Sequence, residues 1–202
     1  MILLDNVSVQ DRDLLTRLTG YFASLEARIK EGQGWLIFNA NRARAGRITR
    51  FMLDRLAEHR PFISYYFVPW RDFALNAYMV KVELPSNPAP ADAASSVTPS
   101  GLVIPGRAAL EHDIAGRVSR DQYYQMRFTD VLVVSGLAPA HRHEVEHLDA
   151  VLAERFAKRL PSILVSPRAP HELMADYAAH PGGAAAWTRL YDGMYASSLI
   201  AM

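Results

Sequence analysis

Short, uninterrupted apolar runs that alternate with amphipathic helices restrict the fold of this chain more than any other feature. DVLVV (130–134) and SILVS (162–166) are such runs, and each is typical of a parallel strand buried on both faces. The predicted helix 141–160 between them has one apolar face, formed by Val145, Leu148, Leu152 and Phe156. The alternation predicts an α/β fold, a parallel sheet of about five strands with helices on both faces.

Hydrophobic periodicity assigns the remaining segments. Six further helices are predicted: one from the Ser8 N-cap to Gly32, then 46–58, a short one that begins at Trp70, 106–128, and the pair 171–178 and 184–194. Four further strands are predicted: Trp35–Phe38, a buried strand within Phe62–Trp70, an edge strand at Met79–Leu84, and a last short strand at Ser197–Met202.

The same pattern predicts the domain organisation. Residues 1–33 form an amphipathic helix that packs on the core, and residues 34–202 form one α/β domain. The composition changes to PSNPAPADAASSVTPSG at 85–101, which is too polar and too rich in proline to build a core. We therefore expect a mobile surface insertion at 85–101 within a single domain.

Composition excludes several classes of function. The 202 residues include no cysteine, so disulfides, thiolate metal sites and a cysteine nucleophile are absent. The net charge of +1 argues against a generally basic, nucleic-acid-like surface but leaves room for a local basic patch. The N-terminus lacks the features of a signal peptide, and no apolar run is long enough to span a membrane. We expect a soluble, cytoplasmic protein.

The stretch Gly34–Leu53 has the layout of a phosphate-binding loop, in which a strand runs into a loop and then into the start of a helix. A Walker A motif reads G-x-x-x-x-G-K-[ST], where lysine and a hydroxyl bind phosphate and Mg²⁺. Aligned on Gly46, this chain has Arg47 and Ile48 in place of the lysine and the hydroxyl. Gly46, Arg47 and Ile48 are therefore the candidate remnant of a nucleotide site.

Segments farther along the chain continue this pattern. A mid-chain strand ends at Ser135 and Gly136, where two acids would form a Walker B motif, and an Arg155-Phe156 pair follows on a helix. Next come the strand Pro161–Ser166 and, near the end, a helix with Arg189. This order resembles the AAA+ ATPases of the DnaC/IstB helicase-loader group and, more loosely, the DnaA-type initiators. Pro167 stands where their sensor asparagine would be.

The resemblance implies a P-loop NTPase-like sheet. Because the sequence stops after the final predicted strand, the helical C-terminal lid domain of fuller AAA+ proteins is not expected. The missing Walker lysine, hydroxyl and acids predict a catalytically degenerate protein. The resemblance implies that such a protein acts by binding in DNA replication, through helicase loading or its regulation, or in transposition. Implied partners are a replicative helicase, another AAA+ ATPase or DNA, in a homo- or hetero-oligomer, with Arg155 and Arg189 as donors to a neighbouring ATP site. No cofactor or catalytic residue is expected, although residual binding of ATP and Mg²⁺ through Arg47 stays open. The alternative is an active, divergent loader-type ATPase.

Five arginines cluster around the degenerate loop: Arg42, Arg44, Arg47, Arg50 and Arg55. Guanidinium groups bind phosphates well, so the cluster predicts contact with nucleic-acid phosphates or with an acidic partner surface. An ordinary solvated helix face explains the same pattern equally well.

One further motif gives a different alternative. His143, Glu144 and His147 match H-E-x-x-H, which on a helix places two histidines on one face for zinc, with the glutamate as a base. A zinc hydrolase is therefore a third hypothesis. The motif is short, however, and it begins close to a predicted helix start, so an exposed, solvated helix end is the favoured interpretation.

Overall fold

The computed structural model of this chain describes residues 9–84, 96–97, 103–104 and 107–201. Its main sheet contains five parallel strands: β1 Gly34–Ile37, β2 Tyr65–Pro69, β5 Val131–Ser135, β6 Ser162–Val165 and β7 Ser198–Ala201. Their order in the sheet is β2-β5-β6-β1-β7. A separate antiparallel pair joins β3 Ser96–Val97 to β4 Val103–Ile104. The predicted α/β fold with a parallel sheet of five strands is confirmed.

The helices cover both faces of this sheet. They are α1 Val9–Ala23, α2 Leu25–Glu31, α3 Arg42–Glu58, α4 Trp70–Tyr78, α5 Arg107–Phe128, α6 Arg142–Ala157, α7 Pro170–Ala178 and α8 Gly183–Ser197. Side chains of α1, α2 and α3 form one hydrophobic core with the sheet, and side chains of α4 to α8 form a second core on the opposite face.

Alternation along β1 shows how the sheet serves both cores. Trp35 and Ile37 belong to the core under α1 and α3, whereas Leu36 and Phe38 belong to the opposite core. This follows from the strand geometry, in which successive side chains point to opposite faces. Gly34 begins the strand, and a Cβ there would overlap the Ser162 carbonyl oxygen. Only glycine lets β1 approach β6 this closely.

The N-terminal amphipathic helix lies against the first core in two parts. Leu14, Leu18 and Leu25 are buried there, and the helix breaks at Ser24, whose φ of −118° and ψ of 28° are not helical. Gly32 ends the second part with a φ of 69°, and its amide donates to carbonyls of the last turn, as a left-handed C-cap does. The predicted stop at Gly32 is confirmed, and the predicted cap at Ser8 lies outside the described residues.

Two strand predictions need correction. Met79–Leu84 was predicted to be an edge strand, but Met79–Glu83 is a π-helical turn that continues α4, because no helix-breaking residue stands between Tyr78 and Pro85. The strand within Phe62–Trp70 was predicted to be buried. Tyr65–Pro69 is instead the outermost strand on its side of the sheet, and Val68 is its one buried residue.

The proline-rich insertion predicted at 85–101 lies outside the described residues except for Ser96 and Val97, which pair with Val103 and Ile104. Among the helices that the structure describes, none has the length and apolar character needed to cross a membrane.

Candidate functional site

The sheet has one topological switch point, between its neighbouring strands β1 and β6. The chain leaves β1 for α3 on one face of the sheet and leaves β6 for α7 on the other face. In open α/β sheets, ligands bind outside the carboxyl ends of the strands at such a point. Residues 38–41 after β1 and 166–169 after β6 therefore form the candidate site, with residues 135–137 at the end of β5 beside them.

The structure brings these three segments together but closes the crevice between them. The amides of residues 38–41 donate in turn to the carbonyl oxygens of Ala201, Arg168, Ser166 and Asn39, at 2.8, 3.0, 2.9 and 3.2 Å. A phosphate-binding loop works because successive amides point at the anion. Here each of these four amides already has a protein acceptor, so the loop presents none of them to a ligand.

Arg44 fastens the same loop from the helix side. Its side chain is buried, and its guanidinium donates to the carbonyl oxygens of Phe38 at 3.3 Å and Asn39 at 3.2 Å. Its amide donates to the side chain of Asn41, the N-cap of α3, at 3.0 Å. Arg44 was predicted to bind a partner or nucleic acid, but the structure gives it a structural role in holding the loop.

The start of α3 changes the interpretation of the degenerate Walker segment. The helix was predicted to begin at residue 46 and begins at Arg42, because Asn41 caps it. Gly46 and Arg47 therefore lie in the second turn of the helix, beyond a loop of only residues 38–41. Ile48 is buried in the core. Among Gly46, Arg47 and Ile48, the structure leaves only the first two at the surface.

The end of β5 supplies hydroxyls and backbone groups but no carboxylate. The Thr49 hydroxyl donates to the Ser135 hydroxyl at 3.1 Å. The amides of Gly136 and Leu137 both donate to the Val165 carbonyl oxygen, and the Ser166 hydroxyl donates to the Leu137 carbonyl oxygen at 2.7 Å. Mg²⁺ is held in phosphoryl-transfer sites by carboxylates and hydroxyls that remain free to ligate it. The hydroxyls and amides at the end of β5 are instead hydrogen-bonded to other groups of the protein.

An open groove lies beside the closed crevice, on the outer face of α3. It has a volume of about 610 Å³ and is lined by Arg42, Ala43, Gly46, Arg47 and Arg50. All five residues are exposed, and no acidic residue lines the groove. Three of the predicted arginines are thus brought together, whereas Arg55 lies farther along the helix, 4.0 Å from the Glu58 carboxylate.

Arg155 was predicted to reach a neighbouring subunit, but its side chain is fully buried in this fold. The guanidinium donates to the Ser162 hydroxyl and to four carbonyl oxygens, those of Met126, Thr129, Asp130 and Pro161, at 2.6–3.4 Å. Burial lowers the pKa of Arg155 to about 10, against the opposing effect of Asp130. Arg155 therefore has a structural role, in which its guanidinium holds neighbouring backbone segments together inside the fold.

Arg189 lies at the surface, as its predicted role requires. Its guanidinium forms a two-pronged ion pair with Asp149, with Nε–Oδ1 and Nη2–Oδ2 distances of 3.0 and 2.6 Å. The Arg189 side chain is 57% exposed. A partner that offers a stronger anion can therefore draw this arginine away from Asp149.

The H-E-x-x-H segment begins α6, but it is not the solvated helix end that was favoured. His147 is fully buried, and Glu144 is 4% exposed. Glu144 accepts the Ala140 amide at 2.8 Å, a capping contact, and His147 Nε2 lies 2.9 Å from Asn76 Oδ1. Among the described residues, no group of three or more histidine, aspartate or glutamate side chains is arranged to hold a metal. The geometry gives a zinc site no support.

Burial alters the acid–base chemistry of His147. Its ring lies between those of Phe73 and Tyr123. The Asn76 amide group donates to Ser119 and Gln122, so its oxygen accepts the His147 Nε2–H. Nδ1 is then buried without a hydrogen-bond partner among the described residues. Desolvation, helped by the charges of Lys81 and His143, lowers the pKa of His147 to about 4.

Comparisons with known proteins assign no function to this site. No known family model matches the chain, and no curated protein matches it.

Proposed function

We propose that this chain is a catalytically degenerate AAA+-like domain, related to the DnaC/IstB helicase loaders, that acts by binding in DNA replication or transposition. The observation that carries the proposal is the closed crevice at the switch point. Residues 38–41 stand where a Walker A loop would hold phosphate, yet their amides are bonded to the protein itself.

The order of the strands supports the relationship to this group. The segments that the resemblance matches to Walker A, to the sensor strand and to Walker B are β1, β6 and β5, and these are consecutive in the sheet. All three run parallel, so their carboxyl ends meet at one edge. A site assembled from these three segments requires this arrangement. The sheet has the arrangement, but it lacks the acids that would hold Mg²⁺ and the free amides that would hold phosphate.

We expect the chain to bind nucleotide no more tightly than a dissociation constant of about 1 mM. Titration of the full-length protein with a fluorescent ATP analogue and Mg²⁺ should show no saturation below about 1 mM, a limit of about −4 kcal/mol of binding free energy. ATP turnover should not exceed that of the Arg47→Ala variant. Saturable micromolar binding that Arg47→Ala abolishes would contradict the proposal and support the divergent ATPase instead.

Arg189 is the remaining candidate for a contact in trans. Because its ion pair is exposed, Arg189→Ala should change the free energy of unfolding by about 1 kcal/mol at most. In a mixture with the replicative helicase and the AAA+ ATPase of the same organism, the variant should lower the ATPase rate about tenfold, or about 1.4 kcal/mol.

Asp149→Asn is the matched control for this assay, since it breaks the same ion pair but keeps the arginine. The ATPase rate should stay at the wild-type level with Asp149→Asn. Equal rates with wild type and Arg189→Ala would remove the trans role.

A further inference from the structure

The groove on the outer face of α3 has the chemistry of an anion-binding surface. Arg42, Arg47 and Arg50 surround a floor formed by Ala43 and Gly46. Neither Arg42 nor Arg50 forms an ion pair with a described residue. The groove begins at Arg42 and Ala43 in the first turn of the helix, where the helix dipole adds to the positive potential.

Gly46 is the second observation, because it leaves the floor of the groove without a side chain. Glycine inside a helix is less favourable than almost any other residue. A Cβ at Gly46 would have no described atom within 4 Å except the local helix backbone, so packing does not require its absence. The missing side chain instead opens the floor of the groove and lets a partner approach the helix backbone.

The spacing of the arginines fits a repeating charge. Eight residues separate Arg42 from Arg50, which corresponds to about 12 Å along a helix. One strand of duplex DNA carries a phosphate about every 3.4 Å along its axis, so this length faces about three phosphates. Asp54, one turn beyond Arg50, is exposed and acidic, so the row of arginines on this face of the helix ends at Arg50.

We propose that this groove binds the phosphodiester backbone of a nucleic acid without reading its sequence. The inference rests on the proposed binding function and specifies its ligand. An acidic protein surface fits less well, because protein interfaces depend on large buried anchors such as Trp and Tyr, and the lining of this groove contains no large apolar side chain. Guanidinium groups with small residues between them suit phosphates that lie close to the helix backbone.

The first test measures fluorescence anisotropy of labelled single- and double-stranded DNA of about 20 nucleotides, which spans the groove at about 3.4 Å per phosphate. Arg50→Gln should weaken binding about five- to tenfold at about 50 mM salt. It should also lower the slope of log affinity against log salt by about 0.7 for a single strand and 0.9 for a duplex. Comparison of the two affinities shows whether the groove prefers the backbone of single-stranded or of double-stranded DNA.

Arg71→Gln is the matched control, because Arg71 is an exposed arginine of α4, on the other face of the sheet. It should leave both the affinity and the salt slope unchanged. Equal losses for Arg50→Gln and Arg71→Gln would show diffuse charge attraction and overturn the inference.

The second test fills the groove without changing its charge. Gly46→Leu should weaken DNA binding about tenfold while raising the melting temperature by about 2 °C, since leucine favours helix over glycine. Gly20→Leu is the control: Gly20 is also an exposed glycine inside a helix with open space around a Cβ position. It should raise the melting temperature similarly and leave DNA binding intact.

Unchanged DNA binding by Gly46→Leu would overturn the inference, and so would polyglutamate that competes as strongly as DNA. The ATP titration is independent of these assays. If neither DNA nor ATP binds, only the nucleic-acid inference fails, whereas ATP binding would defeat the proposed function even if DNA binds.

Discussion

Arg155→Ala is expected to lower the free energy of unfolding by about 4 kcal/mol or more, which is a large part of the total stability of a typical domain. The arginine is fully buried, and its guanidinium joins the end of α5 to the start of β6 through five hydrogen bonds. Alanine would leave a cavity and four carbonyl oxygens without this donor. An unsatisfied buried polar group costs about 1–3 kcal/mol.

Urea denaturation of Arg155→Ala and Arg155→Lys measures this effect. Lysine keeps the positive charge, but three donors on one nitrogen cannot reach acceptors spread around a planar guanidinium. Arg155→Lys should therefore also be destabilised, by about 2 kcal/mol. Arg189→Ala, an arginine loss at the surface of the same domain, serves as the control and should shift the midpoint little.

This comparison also separates the two roles that Arg155 has been given. A trans-acting arginine would fold normally as alanine and fail only in the partner assay. If both Arg155 variants had the denaturation midpoint of the wild type, the structural role of Arg155 would be contradicted. Arg155 would then again be a candidate for partner binding.

The sequence predicted the architecture because burial on both faces leaves a strong local signal. The runs at 131–134 and 162–165 are apolar throughout apart from Ser162, and both are parallel strands in the interior of the sheet. The alternation at Met79–Leu84 was a weaker signal. It came from only six residues directly after a helix, and the helix continued through them because nothing in the sequence ended it.

The candidate site was less predictable because hydrogen bonds between distant loops decide its state. The predicted layout of strand, loop and helix is present, but no sequence pattern reports that the Ala40 amide donates to Ser166. The early helix start was readable in principle. Asn41 is a favoured N-cap residue, and its signal was masked by the Walker A alignment.

The buried polar residues of α6 also had a signal in the sequence. His147 lies four residues before Val151, and Arg155 lies four residues after it, all three on the buried face of the helix, because residues three or four apart share a face. His147 was predicted as a zinc ligand from a short motif, and Arg155 was predicted as a partner contact from the resemblance to helicase loaders. The helical period placed both side chains inside the fold.

His147 should make the protein less stable in acid, by about 3 kcal/mol between pH 6.5 and pH 4. Its pKa is lowered from 6.5 to about 4 in the folded state, so the unfolded chain binds more protons in this window. Stability therefore falls as the pH drops through it, and the His147 contribution is constant above pH 6.5 and below pH 4. Protonation places a charged donor at Nδ1, which has no partner among the described residues.

His147→Gln isolates this contribution from that of the carboxylates. Glutamine does not titrate, and its amide can still donate to Asn76 Oδ1, which now accepts from His147 Nε2. Urea denaturation at a series of pH values should give a curve for His147→Gln that falls less steeply than the wild-type curve between pH 6.5 and pH 4. Other acidic groups, including Glu154, whose pKa is lowered by Lys158 and Arg127, titrate alike in both proteins and cancel in the difference.

The expected difference therefore reports the cost of charging one buried imidazole. Parallel curves for wild type and His147→Gln would mean that the buried ring is protonated as easily as in the unfolded chain. Water or an anion would then have to reach Nδ1, and the core around His147, Phe73 and Tyr123 would not be closed to solvent.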